Sequence, residues 1–143
     1  MAIIAEAAEA GRAVVHQPAI YLLEVTSSYM RQKVTIKKAY RNAPTRPQGH
    51  SMKSEYHDIT TKMCFDFWTW HIARCGDQKP SVKGSADLTY MIIAVRMDTI
   101  LLSQDGGLLD YDGKGVRVLN PAALLADRAL MASLRSPQPC PAE

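Results

Sequence analysis

Residues 58–76 read DITTKMCFDFWTWHIARCG, and this stretch indicates the fold class. Asp58 is of a type that caps helix N-termini, and Gly76 is the residue preferred just past a helix C-terminus. The stretch therefore predicts a helix from Ile59 to about Cys75. Its apolar residues recur at helical spacing along one stripe, as one face of a helix requires. That stripe consists of Ile59, Met63, Phe67 and His71.

A second helix is predicted from Ser85–Asp87 to about Gln104, with the pair Gly106-Gly107 ending it. Its apolar residues cover more than one face, whereas a surface helix normally shows a single stripe. We expect one face to pack on the first helix and another on a second subunit, which predicts a homo-oligomer. The apolar residues are Leu88, Met91, Ile92, Ile93, Val95, Met97, Ile100, Leu101 and Leu102.

The residues that follow predict a turn and a last helix. Asp112-Gly113 and Gly115 supply turn residues within residues 108–119, a pattern that predicts a short β-hairpin. Asn120-Pro121 suits the start of a helix, and Pro137 suits its end. The predicted fold class is therefore mostly α: a helical hairpin core with a short β-hairpin and a C-terminal helix.

The N-terminal third is harder to interpret. Residues 2–15 are rich in Ala and predict a helix that stops near Gln17-Pro18. Residues 19–40 fit either a helical stripe or the alternation of a strand, and both interpretations stay open. Residues 42–54 contain two Pro and one Gly with few large apolar side chains, which is typical of a linker.

These patterns divide the chain into three parts. Residues 1–54 form a basic N-terminal subdomain or arm, residues 55–135 a helical oligomerisation core, and residues 136–143 a flexible tail. At 143 residues the chain is long enough for one domain with its own core.

Positive charge is concentrated in residues 25–54. This stretch has seven Lys and Arg and no acid, while the remaining 10 basic and 14 acidic residues leave the rest of the chain at −4. Such a stretch attracts phosphate backbones, and Tyr29 and Tyr40 within it can stack on bases. A solvated charged face is the alternative interpretation. The predicted DNA contacts are Arg31, Lys33, Lys37, Lys38, Arg41 and Arg46.

The compartment follows from what the sequence lacks. No apolar run reaches the ~18 residues needed to span a membrane, and the apolar N-terminus lacks the basic start of a secretory signal. Cys64, Cys75 and Cys140 are odd in number and show no CxxC spacing, which argues against a disulfide framework or a zinc knuckle. We expect a cytoplasmic protein with reduced thiols and no membrane association.

Two loop motifs are incomplete. Between Gly107 and Gly113-Lys114 the gap is five residues where a phosphate-binding loop has four, and Gly115 replaces the hydroxyl that holds magnesium. The aspartates near this loop lack the Glu that completes an EF-hand, so we interpret them as a solvated turn. They are Asp105, Asp110 and Asp112.

A metal site and a catalytic site are equally unsupported. One helix cannot close a tetrahedral metal site, so the His and Cys residues that share a face are interpreted as a packing face. No nucleophile–base pattern is recognisable. We expect no metal, no cofactor and no enzymatic activity, although a small enzyme with a site built from distant positions stays a minor alternative. The face residues are His57, Cys64, His71 and Cys75.

Residues 67–135 carry a recognisable order of short motifs. A first helix with Phe67-Trp68 precedes a long helix opened by Asp87-Leu88, a glycine-containing connection follows, and Asn120-Pro121-Ala122 starts the last helix. This order resembles the small terminase subunits of bacteriophages. After the last helix the family usually has Gly-Leu-Thr/Ser-Pro, of which residues 134–137 keep only Leu and Ser-Pro. Further matching residues are Gly76, Tyr90, Val95, Arg96, Gly113, Gly115, Asp127, Arg128 and Leu130.

The resemblance implies a non-enzymatic subunit that assembles into a ring. Such a subunit recognises viral double-stranded DNA for genome packaging and acts with a large terminase subunit, which holds the ATPase and nuclease. A viral protein of this kind would work in the host cell cytoplasm. The alternative is a phage- or plasmid-encoded inhibitor or regulatory protein whose basic stretch meets an acidic protein surface.

Overall fold

The computed structural model describes residues 2–23, 53–76, 79–80, 82 and 84–135. The chain is mostly helical, as predicted, and has two small parallel sheets. Its elements are α1 (Ala2–Glu9), β1 (His16–Pro18), β2 (Glu55–His57), α2 (Thr61–Cys75), α3 (Ser85–Met97), β3 (Leu101–Leu102), α4 (Gly106–Leu109), β4 (Val118–Leu119), α5 (Pro121–Ala126) and α6 (Arg128–Arg135).

The chain divides into two compact units, residues 1–56 with 127–143 and residues 57–126. The division falls inside β2, before its last residue, and between α5 and α6. These bounds differ from the predicted boundaries at residues 54 and 135, because α6 groups with the N-terminal residues.

The first unit is built on the contact between α1 and α6. Ile4, Ala7 and Ala8 of α1 and Met131 of α6 are buried. Arg12 Nε donates a hydrogen bond to the carbonyl oxygen of Leu134 at 2.8 Å. The predicted helix over residues 2–15 is too long, since α1 ends at Glu9 and the chain turns at Gly11, whose φ is 71°.

In the second unit, α2 packs on α3. Helix α2 begins two residues later than predicted, because Thr60 caps it instead of Asp58: Thr60 Oγ1 accepts from the Met63 amide at 3.2 Å. Its end at Gly76 is confirmed, with φ of 68° and the Gly76 amide bonded to the Ile72 carbonyl. The core around this helix pair is Phe67, Met91, Ile92, Ala94, Leu101, Leu108, Tyr111 and Val118.

The predicted extent of the second helix is wrong at its C-terminus. Helix α3 ends at Met97, where Asp98 takes the left-handed conformation with φ of 51°. The apolar pair Leu101-Leu102, predicted to continue the helix, instead forms β3 and pairs in parallel with Val118-Leu119. Burial of Leu101 and Val118 in the core favours this pairing over another helical turn.

The predicted β-hairpin over residues 108–119 is also wrong. Asp105 Oδ2 accepts from the Leu108 amide at 3.0 Å and so starts the short helix α4. Glycines with positive φ at 113 and 115 then turn the chain, and β4 pairs with β3 instead of with a hairpin partner. Turn residues therefore occur as predicted, but they serve a crossover between parallel strands.

The predicted C-terminal helix is divided in two. Asn120 caps α5 as predicted, with its Oδ1 accepting from the Ala123 amide at 2.7 Å. Asp127 then interrupts the helix, because its carboxylate accepts from the Leu130 amide at 3.0 Å and caps α6. A second cap inside an apolar periodic segment ends one helix and begins another.

Candidate functional site

The six predicted DNA contacts, Arg31, Lys33, Lys37, Lys38, Arg41 and Arg46, lie outside the described residues. The same holds for residues 24–52 as a whole and for the tail, residues 136–143. Of the basic stretch the structure describes only Lys53 and Ser54, and the Lys53 side chain is exposed. The predicted contacts therefore stay predictions.

The structure does describe residues on both sides of this stretch. Strand β1 precedes it and strand β2 follows it, and the two strands pair in one sheet. The Glu55 amide donates to the Val15 carbonyl at 2.8 Å, and Gln17 Nε2 donates to Ser54 Oγ at 3.2 Å. The described residues before and after the basic stretch are thus joined by one small sheet.

A buried polar pair lies in the core of the second unit. The Tyr111 hydroxyl and His71 Nδ1 are 3.0 Å apart, and both side chains are almost completely buried. Burial raises the pKa of Tyr111, and nearby Cys75 raises it further. Rings of Phe67 and Trp70 pack around Tyr111, which closes the pair to solvent. This arrangement supports the packing interpretation of His71 and not a catalytic one.

An apolar stripe is exposed on α2. Phe65 is 67% exposed, Trp68 is 47% and Ile72 is 41%. These residues are three and four positions apart, so they lie side by side along one helix face. The indole of Trp68 stacks on the buried His71 ring at 5.6 Å between centroids, which fixes its orientation. We call Phe65, Trp68 and Ile72 the α2 stripe.

Charges of both signs lie next to the stripe. Asp66 Oδ2 is 2.6 Å from Lys62 Nζ and 3.5 Å from Arg96 Nη1. All three side chains are substantially exposed, so these pairs contribute little to stability. Together they place two cations and one anion beside the stripe.

The aspartate side chains in and before the turn after α4 stabilise the backbone. Asp112 Oδ1 accepts from the Val118 amide at 2.8 Å, and Asp105 caps α4. Two of the three aspartates considered for calcium thus bind backbone amides, which supports the turn interpretation. Lys114 lies over the Tyr111 ring at 5.9 Å, and a Cβ on Gly115 would stand 3.1 Å from Arg74 Nε.

Metal-ligating residues come together in a place that the sequence did not indicate. The predicted face fails as a group: His71 is buried in the core, Cys64 is exposed and His57 lies in β2. Within the part of the chain that the structure describes, one group brings three ligand atoms within 4.8 Å of one another: His16, Glu55 and His57. The alternation Glu55-x-His57 was the available sequence signal, because residues two apart share a strand face.

Comparison with known proteins gives no relative. No protein-family model matches the chain, and neither the curated proteins nor the solved structures include a match. Among the described residues, no helix has the length and apolar character to cross a membrane.

Proposed function

We propose that this protein is a DNA-binding subunit that acts in viral genome packaging with a large terminase ATPase and nuclease. The observation that carries DNA binding is the charge partition: seven basic and no acidic residues in residues 25–54, against −4 for the rest of the chain. The more specific packaging role rests on the resemblance of residues 67–135 to phage small terminase subunits.

Pairing of β1 and β2 supports presentation of the basic stretch from a fixed base, because the strands before and after it in the chain are adjacent. The strands that flank it pair in one sheet, with the Glu55 amide donating to the Val15 carbonyl. A segment held at both ends searches less conformational space than a free arm, so ordering it on DNA costs less entropy. The predicted phosphate contacts would then act as one group.

Self-association is part of the proposal, and we assign it to a different surface from the one that the sequence indicated. The sequence assigned the subunit contact to the second helix, but Met91, Ile92, Ile93 and Ala94 of α3 are buried within the protomer. The α2 stripe exposes three large apolar side chains along one helix face, and we assign the subunit contact to it instead. Because cations and an anion both flank the stripe, a second copy of this chain meets complementary charges there.

Several copies would present several basic loops. Linking weak contacts in one assembly raises overall affinity by avidity without new contacts on each copy. A packaging subunit benefits from avidity, because each basic stretch alone offers only a few phosphate contacts.

The test is a triple charge variant, Lys37→Gln with Lys38→Gln and Arg41→Gln, assayed for binding to duplex DNA across a salt series. Each lost phosphate contact lowers the slope of log K against log salt by about 0.9. We expect the slope to fall by about 2.7 for three contacts and the affinity at low salt to fall by at least about tenfold. Fluorescence anisotropy with a labelled duplex measures both quantities.

A matched control removes the same charge elsewhere. Arg74→Gln with Lys79→Gln and Lys114→Gln changes the net charge equally, but in the second unit, outside the basic stretch. We expect this control to bind DNA much as the wild type does. Equal losses in both variants would show that net charge and not the basic stretch governs binding. Wild-type binding by the first variant would refute the assigned contacts.

The packaging role needs a separate test. Co-expression with the large terminase subunit of the same genome is expected to give a stable complex, and added chain is expected to change its ATPase rate. DNA binding without any large-subunit complex would keep the DNA-binding proposal and remove the terminase one. Stoichiometric recovery of an acidic host protein, without DNA retention at physiological salt, would favour the inhibitor alternative.

A further inference from the structure

Three metal-ligating side chains meet on the sheet formed by β1 and β2. The ligand atoms of His16, Glu55 and His57 all lie within 4.8 Å of one another. His16 Nδ1 and Glu55 Oε2 are 3.5 Å apart. Two imidazoles and one carboxylate form a set that binds transition metals in many proteins.

Local structure explains why these residues converge. Glu55 and His57 are two apart in a strand, so their side chains leave on the same face of the sheet. The neighbouring strand β1 adds His16, and the bond from the Glu55 amide to the Val15 carbonyl, 2.8 Å, keeps the two strands adjacent at this point. The three ligands therefore sit on short, hydrogen-bonded strands and not on loops.

The distances suit a zinc-class ion. Bonds of about 2.0–2.1 Å in tetrahedral geometry place neighbouring ligand atoms about 3.3 Å apart. The separation of His16 from Glu55 is already close to that value. The separations of His57 from Glu55 and from His16 need to shorten by at most about 1.5 Å on the same geometry, which rotation of the Glu55 and His57 side chains supplies.

Burial also suits metal capture. The His16 side chain is 11% exposed, whereas that of Glu55 is 64% exposed. The buried imidazole of His16 is held in place by its surroundings, while the exposed carboxylate of Glu55 leaves a path by which an ion can enter from solvent. Three protein ligands leave a fourth position for water, as in zinc sites that keep one open position.

We propose that His16, Glu55 and His57 bind one divalent transition-metal ion of the zinc class and that this ion clamps β1 to β2. Because residues 24–52 lie between these strands in the chain, the ion would also strengthen the pairing of the two strands that flank the basic stretch. The proposal does not depend on DNA binding, since it concerns the sheet alone.

The test uses the full chain, stripped of metal with a chelator. Zn²⁺ is titrated in by calorimetry, and Co²⁺ in its place reports coordination geometry by visible absorption. We expect one ion per chain and a higher melting temperature with metal. His16→Gln, His57→Gln and Glu55→Gln are each expected to weaken binding by at least about tenfold, the loss that even an outer-shell change causes.

Two controls make the outcome decisive. Asp58→Asn removes an acid next to His57 in sequence but outside the cluster, and it is expected to bind metal as the wild type does. A variant with Cys64, Cys75 and Cys140 all changed to Ser tests capture by thiols. The proposal is overturned if Zn²⁺ does not bind, if Glu55→Gln and His57→Gln both retain wild-type affinity, or if only the Cys variant loses binding. Melting temperatures without metal show whether each variant folds.

Discussion

The contact between His71 and Tyr111 is the clearest single interaction in the second unit. Both side chains are buried, and their polar atoms are 3.0 Å apart. A buried hydroxyl that loses water must regain a hydrogen bond, or its burial costs free energy. The pair therefore fixes how α2 meets the residues after α4, since it joins positions 40 apart in sequence.

Replacing Tyr111 with Phe removes this bond and leaves the ring in place. We expect the free energy of unfolding at neutral pH to fall by about 1–3 kcal/mol, because a buried polar group of His71 loses a partner. Urea unfolding followed by circular dichroism measures the change. An unchanged free energy of unfolding would mean that the bond makes no net contribution to stability.

The same residue gives a prediction about alkaline pH. Burial raises the pKa of Tyr111 above its ordinary value near 10, so the unfolded chain loses this proton at lower pH than the folded one. The stability contributed by the neutral phenol is present below pH ~10 and is lost as pH rises through the folded pKa. We expect Tyr111→Phe to show a shallower loss of stability above pH ~10 than the wild type. Equal slopes would contradict the raised pKa.

At the scale of elements, helix ends depend on backbone conformation. Gly76 ends α2 with φ of 68°, a value that costs an L-residue roughly 1–2 kcal/mol. A Cβ added there would touch nothing within 4 Å, so the cost is conformational and not steric. We expect Gly76→Ala to lower the free energy of unfolding by about 1 kcal/mol, measured by urea unfolding.

Gly106 provides the matched control in the same unit. It is the first residue of α4, and a Cβ there would also meet nothing within 4 Å. Its conformation suits Ala, so Gly106→Ala is expected to be neutral or stabilising by up to about 1 kcal/mol. The same substitution should therefore have opposite effects at the two sites. Destabilisation of equal size at both would refute the conformational explanation for Gly76.

Elements also show how far sequence patterns reach. The end of α2 at Gly76, the start of α3 at Ser85 and the cap at Asn120 are local features, and the sequence predicted them. The end of α3 and the strand conformation of Leu101 depend on pairing with Val118, which lies 17 positions later in the sequence. No local pattern records such a partner, because apolar residues suit a buried helix and a buried strand equally.

The two candidate sites also differ in whether the sequence alone indicates them. Charge clustering in residues 25–54 is visible without a structure, because it needs only composition along the chain. The group of His16, Glu55 and His57 is visible only in the structure, because strand pairing brings together positions about 40 apart in the sequence. Its signal in sequence, one His two residues after a Glu, is too common to indicate a site alone.

At the scale of the whole molecule, the proposed self-association has two candidate surfaces. The sequence favoured the second helix, and three of its predicted contact residues are indeed exposed: Met97, Ile100 and Leu102, at 36–39%. The α2 stripe is more exposed, at 41–67%, and it is continuous on one helix. Burying each such side chain contributes about 1.5–3 kcal/mol, so the larger stripe is the better interface.

Two matched triple variants decide between these surfaces. Changing Phe65, Trp68 and Ile72 to Gln removes the stripe, and changing Met97, Ile100 and Leu102 to Gln removes the exposed apolar residues at and beyond the end of α3. We expect only the first variant to shift the protein towards the 15.8 kDa chain mass in size exclusion with light scattering. Dissociation by the second variant alone would return the interface to the sequence-predicted helix, and a monomeric wild type would remove self-association from the proposal. If several basic stretches in one assembly bind DNA together, as we propose, dissociation should also weaken DNA binding while the charge of the basic stretch is unchanged.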